Sequence, residues 1–214
     1  MKRLISIILA VCIVYSNVAI AQPLNSRLPD GIYYLVRHAE KDTGKNPVLS
    51  TAGYLRTGDL YRELKNKKIS KIFVSQYRRT QLTADSLRIY KKTDTIHYTA
   101  DETGDDLLNK LSGQKGKQKN ILIIGHSNTI PVILKRLGAS ALELNEIPDD
   151  EYDNLFVVTI KTKKVSLKWL KYGKASLPAY DPGKMKSLHC SAPCAKTLTA
   201  SISFSSTTVA GSWW

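Results

Sequence analysis

Three segments of the sequence place histidine or arginine just beyond a strongly apolar run. Arg37 and His38 directly follow the first run, Arg79 lies four residues past the end of the second, and His126 directly follows the third. Imidazole rings act as nucleophiles or proton carriers, and guanidinium groups bind phosphate oxygens in a bidentate manner. If the runs are strands of one parallel sheet, the four side chains meet at the edge where ligands bind. These residues therefore predict a phosphate-binding site.

The elements that would position these residues alternate along the chain. Strands are predicted at 31–36, 71–75, 95–99, 120–125, 155–161 and 165–172, the last two as an edge hairpin. Helices are predicted at 51–66 behind an N-cap at Ser50, at 79–90, around 107–111, and at 128–137. Helix N-termini near the second arginine and the second histidine would favour an anion. The alternation predicts a three-layer α/β/α domain with a largely parallel central sheet.

The first 21 residues have the pattern of a secretory signal peptide. Lys2 and Arg3 precede the apolar run 4–14, and small residues lead to Ala21. A single membrane anchor is the alternative, but the run is shorter than the roughly 20 residues that a span requires. We therefore expect cleavage after Ala21 and a periplasmic or secreted protein.

The chain is strongly basic, with 32 Lys and Arg against 18 Asp and Glu and a formal net charge of +14. A positive field raises the local concentration of anions. The lysines are scattered along the sequence, and no aromatic-spaced platform for single-stranded nucleic acid is evident. We expect a small phosphorylated substrate as the partner, with neither nucleic acid nor, after signal cleavage, a membrane. The oligomeric state is not encoded in any pattern.

The globular domain is expected to span 22–173, because periodic patterns end there. The segment 174–214 is rich in Ser and Thr and predicts a poorly ordered tail. Cys190 and Cys194 lie in it, and they could form a disulfide or remain free thiols. Only His189 is close enough to join them, which is too few ligands for a metal site. No metal or cofactor is expected.

Four ordered motifs resemble those of the histidine phosphatase superfamily, which has the phosphoglycerate mutase-like fold. They are Leu35–Lys41, with Ala39 where many members have Gly, then Leu49–Arg56, Ser75–Ala84 and Ile124–Asn128. The spacing in the third motif assigns the second phosphate-binding arginine to Arg79 and not Arg78. The resemblance covers roughly 31–173. It is specific for the superfamily and not for a substrate.

The resemblance implies catalysis through a phosphohistidine. Neutral His38 would attack phosphorus, with a backbone carbonyl fixing its tautomer, and water would hydrolyse the intermediate. Arg37, Arg79 and a cationic His126 would neutralise the phosphoryl oxygens. Such a mechanism requires no metal.

The general acid in many relatives is a carboxylate between the second arginine and the second histidine. The segment 101–106 supplies four carboxylates there. Glu102 is the first choice, Asp105 the second and Asp101 a further candidate, and some small relatives manage without a strong acid. Acidic residues at a helix N-terminus explain Asp105 equally well.

Two polar residues complete the predicted site. Ser75 and Asn128 are assigned to phosphate binding, with support of the adjoining turn or helix as the alternative for each. Ser127 stands where one large branch of the superfamily has Asp, and the segment before His126 is too short for a helical cap domain. Both features argue against a phytase or acid phosphatase.

The sequence thus predicts an exported phosphatase that hydrolyses phosphomonoesters or phosphohistidine. One alternative is a phosphoglycerate mutase-type phosphotransferase, which the short connections and the export signal disfavour. The other is a non-catalytic phosphate-binding or interaction module. The presence of all four core residues favours an enzyme.

Overall fold

A computed structural model describes residues 28–114, 119–139 and 144–176. The predicted signal peptide, Cys190 and Cys194 lie outside the described residues, as does the predicted tail beyond Ser176. Within the described ranges, no helix is long and apolar enough to cross a membrane.

The strands and helices predicted from the sequence are present, with ends moved by one or two residues. The strands are β1 (Gly31–Arg37), β2 (Ile69–Ser75), β3 (Asp94–Tyr98), β4 (Lys119–Gly125), β5 (Asn154–Lys161) and β6 (Lys164–Lys171). The helices are α1 (Thr51–Leu64), α2 (Arg78–Lys91), α3 (Asp105–Ser112) and α4 (Thr129–Arg136). Ser50 caps α1 as expected, because its hydroxyl accepts from the Gly53 amide at 3.2 Å.

One six-stranded sheet has the order β3-β2-β4-β1-β5-β6. The first four strands are parallel, while β5 and β6 form the predicted antiparallel hairpin at one edge. In the register, Ile124 of β4 pairs with Val36 of β1 on one side and with Val74 of β2 on the other. The residues that follow these three positions therefore lie side by side at the C-terminal edge of the sheet.

Helices cover both faces of the sheet. Successive strand residues point to opposite sides, so both faces carry apolar side chains that pack against helices. One face is covered by α1 and α2, and its core includes Leu60, Leu64, Ala84, Leu87, Val36, Val74 and Ile124. The other is covered by α3 and α4, and its core includes Leu107, Leu111, Ile130, Ile133, Leu35, Phe73 and Ile123. This arrangement confirms the predicted three-layer α/β/α domain with a largely parallel sheet.

Candidate active site

His38 lies directly beyond β1 and is almost fully buried. Its backbone amide donates to the Gly125 carbonyl at 3.0 Å, and its Nδ1 lies 2.8 Å from the Ala39 carbonyl oxygen. A carbonyl can only accept, so Nδ1 carries the proton and Nε2 keeps a free lone pair. Burial lowers the pKa of His38 to about 3, and the nearby positive charges act in the same direction. The ring is therefore neutral at pH 7, with the lone pair of Nε2 free.

A threonine of α2 fixes the loop that carries His38. The Ala39 amide donates to Thr83 Oγ1 at 2.9 Å, and the Thr83 hydroxyl donates to the Arg79 carbonyl at 2.7 Å. Thr83 therefore links the His38 loop to the first turn of α2, which holds the second arginine.

The N-terminus of α1 supports the same loop from another direction. Glu40 receives three N–H contacts at 2.7–2.9 Å from the buried guanidinium of Arg56. The Glu40 carbonyl accepts from the Ser50 amide at 3.0 Å, and a Cβ on Gly53 would clash with that carbonyl. The second motif thus has a structural role, since its glycine permits close packing and its arginine pairs with Glu40.

Arg37 is only 3 % exposed, and the segment after α4 holds its guanidinium. Nη1 donates to the Pro148 carbonyl at 2.7 Å, and Nη2 pairs with Asp149 at 2.9 Å. The guanidinium carbon also lies 4.4 Å from the centroid of the Tyr152 ring. Because Asp149 is 94 % exposed, solvent screens this ion pair and a competing anion can displace it.

Arg79 lies beside His126, with Nη2 3.2 Å from His126 Nδ1. Its guanidinium carbon lies 4.4 Å from the centroid of the Tyr77 ring. Four buried side-chain polar atoms in the described part of the chain lack a hydrogen-bond partner, and two of them are Nε of Arg79 and Nε of Arg37. Buried donors without an acceptor are rare in proteins. Their occurrence on both arginines fits a site that receives an oxyanion.

His126 is neutral in this arrangement, and the positive charge expected from the sequence applies to the site with phosphate bound. Its Nδ1 accepts from Arg79, so its proton resides on Nε2, which lies 2.9 Å from Ser75 Oγ. Burial lowers the pKa of His126 to about 4, and the charges of Arg79 and Arg37 reinforce the shift. The centroids of the His38 and His126 rings are 5.4 Å apart. Both imidazoles therefore border one small volume.

Ser75 differs from its predicted role as a phosphate ligand. It is fully buried behind His126, and its hydroxyl lies 3.0 Å from Thr80 Oγ1. The Thr80 hydroxyl can in turn donate to the Tyr77 carbonyl at 2.8 Å. Ser75 is therefore placed to orient the His126 ring through its Nε2 proton and not to contact a substrate.

An open cleft of about 270 Å³ lies over these groups. Its lining includes Arg37, His38, Lys41, Tyr77, Arg79, Ala100, Asp101, Glu102, His126, Ser127, Asn128, Thr129 and Asp149. Asn128 is exposed at the N-cap position of α4, where its side chain makes no capping hydrogen bond. The cleft therefore brings together all predicted site residues except Ser75 and the second-choice acid Asp105. A larger groove of about 370 Å³ between α2 and β3 contains none of them.

The acidic segment supplies one carboxylate without a local role. Asp101 accepts from the Thr103 and Gly104 amides, and a hydrogen bond from the Thr103 hydroxyl is the main cause of its lowered pKa. Asp105 pairs with Arg136. Glu102 is exposed on the cleft and makes no hydrogen bond or ion pair within the described ranges. Glu102 is thus the carboxylate best placed to exchange a proton with a ligand.

Several site residues were missed by the sequence analysis. Tyr77 lies within the third motif, where nothing in its type marked it as the support for Arg79. Asp149 and Tyr152 come from a segment without periodicity, more than 110 residues from the arginine that they contact. No sequence signal identifies such partners, since only the fold brings them to Arg37. Among the described residues, no group of three or more His, Cys, Asp or Glu could hold a metal ion.

No protein-family model matches the chain, and a search of curated proteins finds no similar sequence. One solved structure with a similar arrangement is SixA from Agrobacterium tumefaciens, provisionally described as a phosphohistidine phosphatase. Its sequence is 18 % identical, the match covers 68 % of this chain and 97 % of that chain, and the TM-score is 0.48. The α-ribazole phosphatase from Shigella flexneri has 14 % identity, coverage of 65 % and 96 %, and a TM-score of 0.47. Phosphoglycerate mutase from Plasmodium falciparum has 18 % identity, coverage of 72 % and 96 %, and a TM-score of 0.42. At these values, the interpretation of the site rests on the residues of this chain.

Proposed function

We propose that this chain is a phosphatase of the histidine phosphatase superfamily that hydrolyses phosphomonoesters or phosphohistidine through a phosphohistidine on His38. The observation that carries the proposal is the neutral His38 ring, whose Nδ1 proton is held by the Ala39 carbonyl at 2.8 Å. The lone pair of Nε2 is therefore available beside the buried Arg37, the half-buried Arg79 and a second imidazole. This is the combination that nucleophilic phosphoryl transfer requires.

In the first step, the Nε2 lone pair of His38 forms a bond to phosphorus while the bond from phosphorus to the leaving oxygen breaks. Arg37 and Arg79 stabilise the negative charge on the three remaining oxygens. Each arginine has a partner that it can exchange for phosphate, namely the exposed Asp149 for Arg37 and His126 Nδ1 for Arg79. The phosphate charge also raises the pKa of His126, so that the ring can take up a proton and donate from Nδ1.

Glu102 donates a proton to the leaving oxygen when the leaving group needs one. In the second step, a water molecule attacks phosphorus, the bond to His38 Nε2 breaks, and the deprotonated Glu102 accepts a proton from that water. The accessible position of Glu102 on the cleft and its lack of a local partner support this assignment. Good leaving groups, including the imidazole of a phosphohistidine substrate, depend less on this residue.

We also propose that the enzyme acts after export, in the periplasm or outside the cell. The basic start, the apolar run and the small residues before Gln22 support this proposal. Mass spectrometry of the protein recovered from the periplasm or medium of an expressing bacterium tests it. A chain that starts at Gln22 supports export, whereas an intact chain that begins at Met1 and stays in the cytoplasm contradicts it.

The activity is tested by release of inorganic phosphate from a chromogenic phosphomonoester. We expect His38→Ala to lower kcat/KM by roughly 10³-fold or more, because the nucleophile is lost. His97→Ala is the matched control, since His97 is exposed and lies outside the cleft. Equal rates for the wild type and His38→Ala would contradict the proposal and favour the non-catalytic module.

A further inference from the structure

The sheet edge opposite the cleft carries a dense group of lysines. It is formed by the starts of the four parallel strands and by the β5–β6 turn. We call this group the lysine edge, and it consists of Lys65, Lys67, Lys68, Lys91, Lys92, Lys119, Lys161, Lys163 and Lys164. Eight of these side chains are exposed and Lys119 is half-buried. The lysines that look scattered in sequence are thus gathered by the strand order and by the return of α1 and α2 to this edge.

None of these nine lysines forms an ion pair with another described residue, whereas Lys71, Lys110 and Lys171 all do. Among the acidic side chains close to the edge, Asp94 pairs with Lys71 and Asp30 accepts from the Thr162 amide. Glu63, in the last turn of α1, is a third acidic residue close by. The positive charge of the edge is therefore largely uncompensated by the side chains that the structure describes.

Three of the edge lysines occupy strained backbone positions. Lys68, Lys92 and Lys163 have φ values of 50°, 51° and 63°, in the left-handed region where Gly or Asn is favoured. Each of these three turns thus carries a lysine at a position where Gly or Asn would be less strained.

Apolar groups lie at the same edge, next to the lysines. Ile89 and Tyr90, in the last turn of α2, are 58 % and 71 % exposed, and the Tyr90 ring lies 5.1 Å from that of Tyr61 on α1. Exposed aromatic and aliphatic groups flanked by lysines are typical of surfaces that bind the interface of a bilayer.

We propose that the lysine edge binds the surface of a membrane that contains anionic phospholipids. Lysines near such a surface are attracted by its negative potential, and the apolar groups of α2 enter the headgroup region. This departs from the expectation that the protein avoids membranes after signal cleavage. A nucleic acid would use the charge but would leave the exposed Ile89 and Tyr90 unexplained.

The geometry has a consequence for the substrate. Strands of seven residues separate the two edges of the sheet by roughly 20 Å, so the cleft opens away from a bilayer bound at the lysine edge. This part of the inference rests on the proposed phosphatase function. It assigns the enzyme a soluble phosphorylated substrate and not a lipid phosphate in the membrane to which it is bound.

The test measures binding of the full chain to vesicles by flotation, with phosphatidylcholine alone and with phosphatidylcholine containing phosphatidylglycerol. The readout is the ratio of the two partition coefficients, because binding through apolar groups such as Ile89 and Tyr90 is common to both vesicles. The edge variant is Lys67→Glu with Lys92→Glu and Lys163→Glu. The control variant is Lys45→Glu with Lys168→Glu and Lys174→Glu, which has the same net charge at exposed positions outside the edge.

We expect the wild type to bind anionic vesicles more tightly than neutral ones. In the edge variant the ratio of partition coefficients should be at least tenfold lower, since each lysine near an anionic surface raises the affinity roughly fivefold. The control should keep the ratio within about threefold. Ile89→Ser with Tyr90→Ser should weaken binding to both vesicle types. Turnover of a soluble chromogenic phosphomonoester serves as the check on folding. If the Glu variant does not fold, Gln at the same three positions replaces it, with a matched Gln control.

Equal losses in the edge and control variants would overturn the proposal, because net charge alone would then explain the binding. A wild-type ratio near one would also overturn it. A third outcome would identify the edge as a nucleic-acid site. In that case the vesicle partition ratio of the wild type stays near one, and the edge variant loses affinity for a random-sequence DNA duplex. Vesicle binding with no phosphatase activity in any variant would leave the membrane surface standing and contradict only the proposed function.

Discussion

Mild acid is expected to destabilise this protein through its two site histidines. Burial lowers the pKa of His38 to about 3 and that of His126 to about 4, whereas an unfolded chain titrates its histidines near 6.5. Between these values the unfolded chain binds more protons than the folded one. The stabilisation from the neutral rings is therefore complete above the unfolded pKa and is lost as the pH falls towards the folded pKa.

The size of the effect follows from this linkage. When the pH is lowered from 7 to 5, protonation of each histidine in the unfolded chain is expected to reduce the free energy of unfolding by about 2 kcal/mol. The two histidines together reduce it by ~4 kcal/mol. That is a large share of the 5–15 kcal/mol typical of a domain, so it is measurable.

The assay is urea unfolding, monitored by circular dichroism at pH 7 and pH 5, for the wild type and for His38→Asn with His126→Asn. The variant should lose ~4 kcal/mol less than the wild type over this interval, because asparagine does not titrate. Carboxylates contribute equally to both proteins and cancel in the comparison. His97→Asn, at an exposed histidine, should behave like the wild type. The reasoning is refuted if the double variant is as sensitive to pH as the wild type.

Three other substitutions probe the support of the site. Glu40→Ala leaves the buried guanidinium of Arg56 without its carboxylate and should lower the free energy of unfolding by about 3 kcal/mol in urea titrations. A loss under about 1 kcal/mol would show that this ion pair does not stabilise the fold. Ser75→Ala removes the acceptor for His126 Nε2 and should reduce kcat/KM roughly tenfold in steady-state kinetics, and a change below twofold would argue against its positioning role. Glu102→Gln should reduce hydrolysis of an alkyl phosphate roughly 100-fold but that of a nitrophenyl phosphate only about threefold, and equal losses would exclude it as the proton donor.

The fold was predictable because its determinants are local. The continuous apolar runs of β1 and β4 mark buried strands, and the residues that follow them were predicted to meet at one edge. Arg37, His38 and His126 indeed line one cleft. Each of these placements depends only on a strand end and a parallel sheet, and both are visible in the sequence.

The features that the sequence did not predict depend on contacts between distant segments. The neutral state of His126 requires that Arg79 donates to Nδ1 and that Ser75 receives the proton of Nε2. Asp149 pairs with Arg37 through a loop that lacks any periodic signal. Grouping of the lysines at one edge likewise requires the strand order, which the sequence alone does not specify. Charge state and partner choice thus depend on tertiary structure more than on residue type.

The central claim is tested most directly by trapping the intermediate. The protein is mixed with a rapidly hydrolysed phosphomonoester, quenched under alkaline conditions that preserve phosphohistidine, and digested for mass spectrometry. We predict that one phosphoryl group is found on His38 and that Glu102→Gln, which should hydrolyse the intermediate more slowly, increases its amount. Turnover without any label on His38, or a label on another residue, would contradict the account.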